Sequence, residues 1–177
     1  RPIHCGFRPE LDAAYHRVRH NSWFTEGPEL ENFEKEFAAY CGVKYCVGVA
    51  TGLDALYLVL KAWGIGNGDE VLVPSNTYIA TALAVSYVGA KPVFVEPEID
   101  SFNIDVNRIE EKITESTKAI IAVQLQGRCC DMDVIKEVAD KYHIKVLEDA
   151  AQAHGAKYKG AFAGSLGDAA GFSFYPG

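Results

Sequence analysis

Basic character is scarce in this sequence. Asp and Glu outnumber Lys and Arg by 24 to 17, for a formal net charge of −7 over 177 residues, and no cluster of lysine and arginine occurs anywhere. The positive stripe that neutralises a nucleic-acid backbone is therefore missing, and nucleic acid is not expected as a partner. Long apolar runs are missing too. None approaches the roughly 20 residues that span a bilayer, and no secretory signal opens the chain. These absences point to a cytoplasmic protein with no membrane partner.

Cysteine is sparse and irregularly spaced. The five residues Cys5, Cys41, Cys46, Cys129 and Cys130 form an odd set with no C-x-x-C pair, so no disulfide framework and no metal site is expected. Small buried residues or free thiols are the simpler account. The sequence also lacks a G-x-x-x-x-G-K-[ST] phosphate loop and a G-x-S-x-G nucleophile elbow. Gly64-Ile65-Gly66-Asn67-Gly68 faintly echoes a dinucleotide fingerprint, but it follows a helical stretch and reads as a turn.

What is present is an ordinary globular balance, 49% hydrophobic and 23% charged residues, in a length suited to one domain. Periodicity alternates between helix and strand. Helices are expected over Glu29 to Cys41, Leu53 to Trp63, Ile79 to Val88, Asp105 to Ile113 and Asp131 to about Tyr142. Strands are expected over Lys44 to Ala50, Glu70 to Pro74, Lys91 to Glu96, Lys118 to Leu125, Ile144 to Asp149 and the terminal run from Ala169. A small hairpin is expected within Lys157 to Gly164. Continuous apolar strands separated by helices predict an α/β fold: three layers, a mostly parallel (mixed) sheet flanked by helices. Both ends read as cut. Arg1 is not an initiator methionine, and the chain halts at Gly177 inside a strand-to-turn unit, unless the next residue is simply not a standard amino acid.

In such sheets ligands bind beyond the carboxyl ends of the strands. Two segments there carry suitable groups. Ala50-Thr51-Gly52-Leu53-Asp54 is a strand-to-helix turn whose first amides (Gly52, Leu53, Asp54) suit an anion such as a phosphate. Taken alone it reads more simply as a turn with Thr51 as N-cap. Glu148-Asp149-Ala150-Ala151-Gln152 ends an apolar strand with a carboxylate that needs a partner, and a protonated pyridine nitrogen would serve. Gln152 follows on the same side of the turn. Helix N-cap for Asp149 and surface amide for Gln152 are the plainer alternatives. His154 reads as a structural hydrogen-bonder.

Together, Thr51-Gly52-Leu53-Asp54-Ala55-Leu56, Pro74-Ser75-Asn76-Thr77-Tyr78, Glu148-Asp149-Ala150-Ala151-Gln152, Gly167-Asp168 and Ser173-Phe174-Tyr175-Pro176 resemble, in this order, the DegT–StrS family of nucleotide-sugar aminotransferases. These are pyridoxal 5'-phosphate (PLP) enzymes of fold type I, the aspartate-aminotransferase superfamily. The match runs from Trp23 onward. The resemblance implies that residues 1–177 are the N-terminal and PLP-binding large-domain portion, with a small C-terminal domain absent. It implies that Gly52 and Leu53, with Thr51 nearby and the hydroxyl of Ser173, hold the phosphate. Tyr78 would stack on the pyridine, Asp149 pair with its nitrogen, and Gln152 contact the 3-oxygen.

The Schiff-base lysine of this family would come immediately after Gly177, so no catalytic residue lies in the chain itself. Related sugar 3-dehydratases carry histidine there, and both residues stay open at this stage. The segment Gln124-Leu125-Gln126-Gly127-Arg128 departs from the family pattern, and no role is carried over to it. The Thr-Gly-Leu-Asp-Ala-Leu segment tips the reading toward amino transfer from L-glutamate, which becomes 2-oxoglutarate, to a keto group of a nucleoside-diphosphate deoxysugar. The implied context is deoxysugar biosynthesis by a homodimer, for a surface polysaccharide or for a secondary metabolite. A non-enzymatic α/β module binding some phosphate ligand is the reading from another class.

Overall fold

The computed structural model describes residues 6–175. Cys5, Pro176 and Gly177 lie outside them. The chain divides into two compact units, one running up to Tyr40 with Lys44–Gly48, the other comprising Cys41–Val43 and everything from Val49.

The first unit contains α1 (Arg8–Asn21) and most of α2 (Pro28–Cys41). No periodicity in the sequence announces α1, because none of its residues is buried. Its signals are local instead: a proline in the first turn with Glu10 beside it, and Arg19 and His20 in the last turn opposite the helix dipole. α2 forms where predicted, with Pro28 at its start. The strand expected over Lys44 to Ala50 does not form, and this expectation is corrected. The Gly48 amide is spent on Glu34 Oε1 at 2.7 Å, and a Cβ at Gly48 would lie 2.6 Å from the Leu30 side chain. Tyr45, Val47 and Val49 stay exposed, and no strand among the described residues runs alongside to give this β-branched run a ladder.

The second unit is built on five strands: β1 (Glu70–Pro74), β2 (Lys91–Val95), β3 (Thr117–Val123), β4 (Lys145–Asp149) and, after a hairpin of β5 (Lys157–Tyr158) with β6 (Ala161–Phe162), β7 (Ala169–Gly171). They pair in the order β2-β1-β3-β4-β7, and every one of these pairings is parallel. The helices are α3 (Gly52–Ala62), α4 (Ile79–Tyr87) and α5 (Met132–Tyr142). Alternation along the strands sorts side chains to two faces. Val71, Val73, Ala119, Ile121 and Leu147 pack with Leu56 and Leu60 of α3 and Ala84 and Val85 of α4. Leu72, Ile120, Ala122 and Val146 pack with Met132, Ile135 and Val138 of α5. Hence the middle of each central strand is apolar on both sides, its residues facing one helical layer or the other, which is the three-layer arrangement expected. The helix expected from Asp105 to Ile113 is instead two 3₁₀ turns, Val106–Arg108 and Glu110–Lys112. Asp105 does cap the first, accepting from the Asn107 amide. Only Ile109 reaches full burial there, too little apolar surface to support a longer helix.

The alternation continues to the end of β4. Leu147 and Asp149 face α3 and α4, whereas Glu148 turns toward α5 and is completely buried. Glu148 Oε1 accepts from the amides of Leu166 and Gly167, and Oε2 accepts from the Gly164 amide and Gln124 Nε2. Gln124 in turn accepts from the Cys130 amide. Four donors satisfy this carboxylate, and it thereby clamps the turn that leads into β7. Asp168 finishes the same junction, accepting from the Val146 amide and pairing with Lys145 at 2.8 Å. Glu148→Gln places an amide nitrogen against backbone donors. Equilibrium denaturation is expected to show a loss of about 2–3 kcal/mol, the scale for orphaning buried donors.

Candidate active site

The polar groups gather at the carboxyl end of the sheet, beginning with the start of α3. Thr51 is its N-cap: Thr51 Oγ1 accepts from the Asp54 amide at 3.0 Å and donates to Asp54 Oδ2 at 2.8 Å. The Asp54 amide is thus occupied, which corrects the expectation that it stands free. The amides of Gly52 and Leu53 remain, since the first turn of a helix offers them no internal acceptor. Ser173 lies against this turn. A Cβ placed on Gly52 would sit 2.8 Å from Ser173 Cβ, 3.3 Å from its Oγ and 3.4 Å from the Phe172 carbonyl. Glycine is therefore required by proximity, and Ser173 stands beside the two free amides.

Asp149 ends β4, with only 8% of its surface exposed. Thr81 donates to Oδ2 at 2.7 Å and the Ala151 amide to Oδ1 at 3.2 Å. Both partners are neutral. Burial pushes the carboxyl up from its ordinary range, while the Thr81 hydroxyl and the Ala151 amide pull it back. Strand pairing connects this carboxylate to the helix start. Asp149 is in register with Gly171, whose carbonyl accepts from the Ala150 amide, and Ser173 follows two residues later. Adjacent strands lie about 4.8 Å apart and two extended residues cover at most about 7 Å, so the span is on the order of 10 Å. A span of that order is within the length of a single small ligand.

The remaining predicted residues fall around this line. Tyr78 is the N-cap of α4 and is 75% exposed. Gln152 is exposed, and its Oε1 accepts from the Gln126 amide at 2.8 Å. Gln126 holds a left-handed conformation (φ 54°) inside the short 3₁₀ turn Leu125–Gly127. With Oε1 so engaged, the Nε2 of Gln152 is the group left to donate. His154 packs its ring against Phe172 and Phe174, centroids 5.1 and 4.9 Å away, on either side of Ser173 in the chain. Partial burial lowers its pKa.

Sequence reasoning missed Thr77, Thr81 and Gln126. Neither threonine was findable, since a helical threonine ordinarily bonds back to a carbonyl one turn earlier and nothing local points Thr81 to Asp149 or Thr77 to Thr81. Gln126 was not either, because its part is played by the backbone. Cys130 is buried and its thiol is pushed up to about 12 by burial, so it is inert. Among the described residues no cluster of three metal-ligating side chains occurs, and no helix is long and apolar enough to cross a membrane.

Sheet, helix start and strand-end carboxylate define a parallel α/β domain that gathers its polar groups at the carboxyl end of the sheet. The chain matches the DegT/DnrJ/EryC1/StrS aminotransferase family over residues 7–177, and it belongs to that family. It is 58% identical over 174 residues to the dTDP-3-amino-3,6-dideoxy-alpha-D-galactopyranose transaminase of Aneurinibacillus thermoaerophilus, covering 98% of this chain and 48% of that protein. The crystal structure of S. venezuelae DesV, solved in complex with a ketimine intermediate, superposes with a TM-score of 0.93 at 50% identity, covering 98% of this chain and 47% of that one. NtdA from Bacillus subtilis, solved with bound cofactor PMP, gives a TM-score of 0.84 at 37% identity, covering 90% and 37%. The chain spans about half the length of the curated relatives it matches.

Proposed function

We propose that the protein of which this chain forms part is a PLP-dependent aminotransferase, moving an amino group from L-glutamate to a keto group of a nucleoside-diphosphate deoxysugar. Family membership, a close relative that is a dTDP-sugar transaminase and a structural neighbour that holds PMP, the amine form of this cofactor, support that reading. The observation that carries it is Asp149: a buried carboxylate whose donors among the described residues are both neutral, in register with the strand that delivers Ser173 to the start of α3.

The residues present fit the cofactor. An anionic phosphate suits the free amides of Gly52 and Leu53 with the Ser173 hydroxyl beside them, which the absence of a Cβ on Gly52 allows to come this close. A cationic pyridine ring suits Asp149, whose burial costs least when a positive charge lies against it. Tyr78 offers its exposed ring as a stacking face, and Gln152 offers Nε2 as a donor to the ring oxygen. PLP, when bound, supplies an electron-accepting ring that carries the amino group from donor to acceptor. Asp149 would keep the proton on the ring nitrogen, and the first turn of α3 with Ser173 would hold the phosphate end. A lysine immediately after Gly177 would move the substrate proton. A cytoplasmic homodimer and a dTDP-linked sugar complete the proposal.

Absorbance of the full-length protein tests it. The expected result is a yellow cofactor band that borohydride fixes covalently, that glutamate bleaches, and that 2-oxoglutarate restores. A band indifferent to glutamate would point to sugar dehydration, and a colourless protein that takes up no PLP would point to a non-enzymatic module.

A further inference from the structure

We propose that Thr81 is a positioning residue of this site: its hydroxyl holds Asp149 as an ionised carboxylate, and Thr77 aims that hydroxyl. The inference rests on the PLP reading above. Thr81 is completely buried in the first turn of α4, in the apolar company of Ala82, Ala84 and Val85. A hydroxyl in such a place is costly unless paired. The ordinary solution for a helical serine or threonine is to bond back to a carbonyl one turn earlier. Ser86 in the same helix does so, donating to the Ala82 carbonyl at 3.1 Å. Thr81 does not. It reaches across 68 positions of sequence to Asp149 Oδ2 at 2.7 Å.

The direction of the chain follows from proton counting. Thr81 has one hydroxyl proton, and an ionised Asp149 can only accept, so that proton lies toward the carboxylate. The 2.7 Å contact between the Thr77 and Thr81 hydroxyls then has Thr77 as donor. Two O–H bonds point the same way and end on Asp149, each polarising the next. The Ala151 amide takes Oδ1, so both oxygens face donors that favour the anion over the buried neutral acid. An anionic Asp149 leaves the shared proton on a pyridine nitrogen, whereas a neutral one withdraws it. Tyr78 opens the same helical turn, with its carbonyl accepting from the Thr81 amide. A single turn of helix thus presents the stacking ring and steadies the carboxylate.

The test is PLP titration of the full-length apoprotein, with the ring-nitrogen resonance of ¹⁵N-labelled PLP read in the complex and thermal unfolding of each apoprotein as a folding control. Thr81→Val is expected to weaken PLP binding about 10-fold, the worth of one charge-assisted hydrogen bond, and to move the ring-nitrogen signal from the pyridinium toward the neutral-pyridine position. Thr81→Ser, which keeps the hydroxyl, is expected to stay within about 2-fold with its signal unmoved. Thr77→Val, which leaves Asp149 and Thr81 in place, is expected to shift both readouts in the same direction by less. If Thr81→Val does not fold, Thr77→Val carries the test, and a signal unmoved in it overturns the proposal. So does a Thr81→Val protein that binds PLP like its parent, or a Thr81→Ser protein as impaired as the valine variant. A parent protein that takes up no PLP overturns the functional reading itself.

Discussion

Gly52→Ala in the full-length protein should weaken PLP binding by about 100-fold while leaving the far-ultraviolet spectrum of the fold unchanged. The effect is steric. The added Cβ would lie 2.8 Å from Ser173 Cβ and 3.3 Å from its Oγ, closer than such atoms approach without something shifting. Helix propensity favours alanine at this position, so the change does not unfold α3. What must give is the seam between the start of α3 and the segment after β7, the two elements proposed to share the phosphate. A shift of a few tenths of an ångström at a charged cradle is expensive because every donor there loses distance and angle together. A second variant separates sterics from chemistry. Gly52→Ala combined with Ser173→Gly removes the colliding Cβ along with the hydroxyl, and should recover part of the lost affinity. Unchanged PLP affinity in Gly52→Ala would remove the helix start from the site.

Asp149→Asn should have opposite effects on the empty and the loaded protein. In the apoprotein burial raises the carboxyl above its ordinary range. An acid whose folded pKa is raised contributes its stability in full below the unfolded value, near 3.9, and loses it as pH rises through the folded value. At pH 8 the ionised side chain is therefore a liability. Asparagine removes that charge and keeps the bonds: its oxygen accepts from Ala151, and its amide donates to Thr81 as the hydroxyl chain reverses. The Asp149→Asn apoprotein should accordingly melt above its parent at pH 8, with the difference closing as pH falls toward the unfolded value. PLP affinity should fall roughly 100-fold, about 3 kcal/mol, because the bound ring loses its anionic partner. Scanning calorimetry with and without PLP reads both. A variant less stable than its parent at pH 8 would show that Asp149 is anchored by more than its two neutral donors. The trade is of the kind expected at a functional site, where a destabilising charge is retained for what it binds.

Legibility differed by element, for physical reasons. β1 was readable to the residue, since Glu70-Val71-Leu72-Val73-Pro74 is apolar between a charge and a ring that cannot donate to a ladder. α3 and α5 were readable because each buries a stripe at helical spacing. α1 was not, since it buries nothing and so leaves no period in the sequence. The failure at Lys44 to Ala50 has the converse cause. β-branched and aromatic residues were present, but a strand needs a neighbour, and the Gly48 amide had found a carboxylate instead. The resemblance placed the candidate site by position, while its supports lay beyond reach. Nothing local in Thr81 says that its proton lies 68 positions away, and nothing in Gln126 says that its amide meets Gln152.

Residue order alone pointed to an α/β chain with apolar, mostly parallel strands, first-turn amides at Gly52, Leu53 and Asp54 suited to an anion, and a carboxylate at the close of a strand, because those follow from periodicity and helix-end chemistry. Folding settled which of these groups meet. The pairing of β4 with β7 carries Ser173 to the start of α3, and the inward turn of α4 puts a hydroxyl on Asp149. Contacts between residues far apart in sequence leave no local period or composition to read; they exist only once the sheet has ordered its strands.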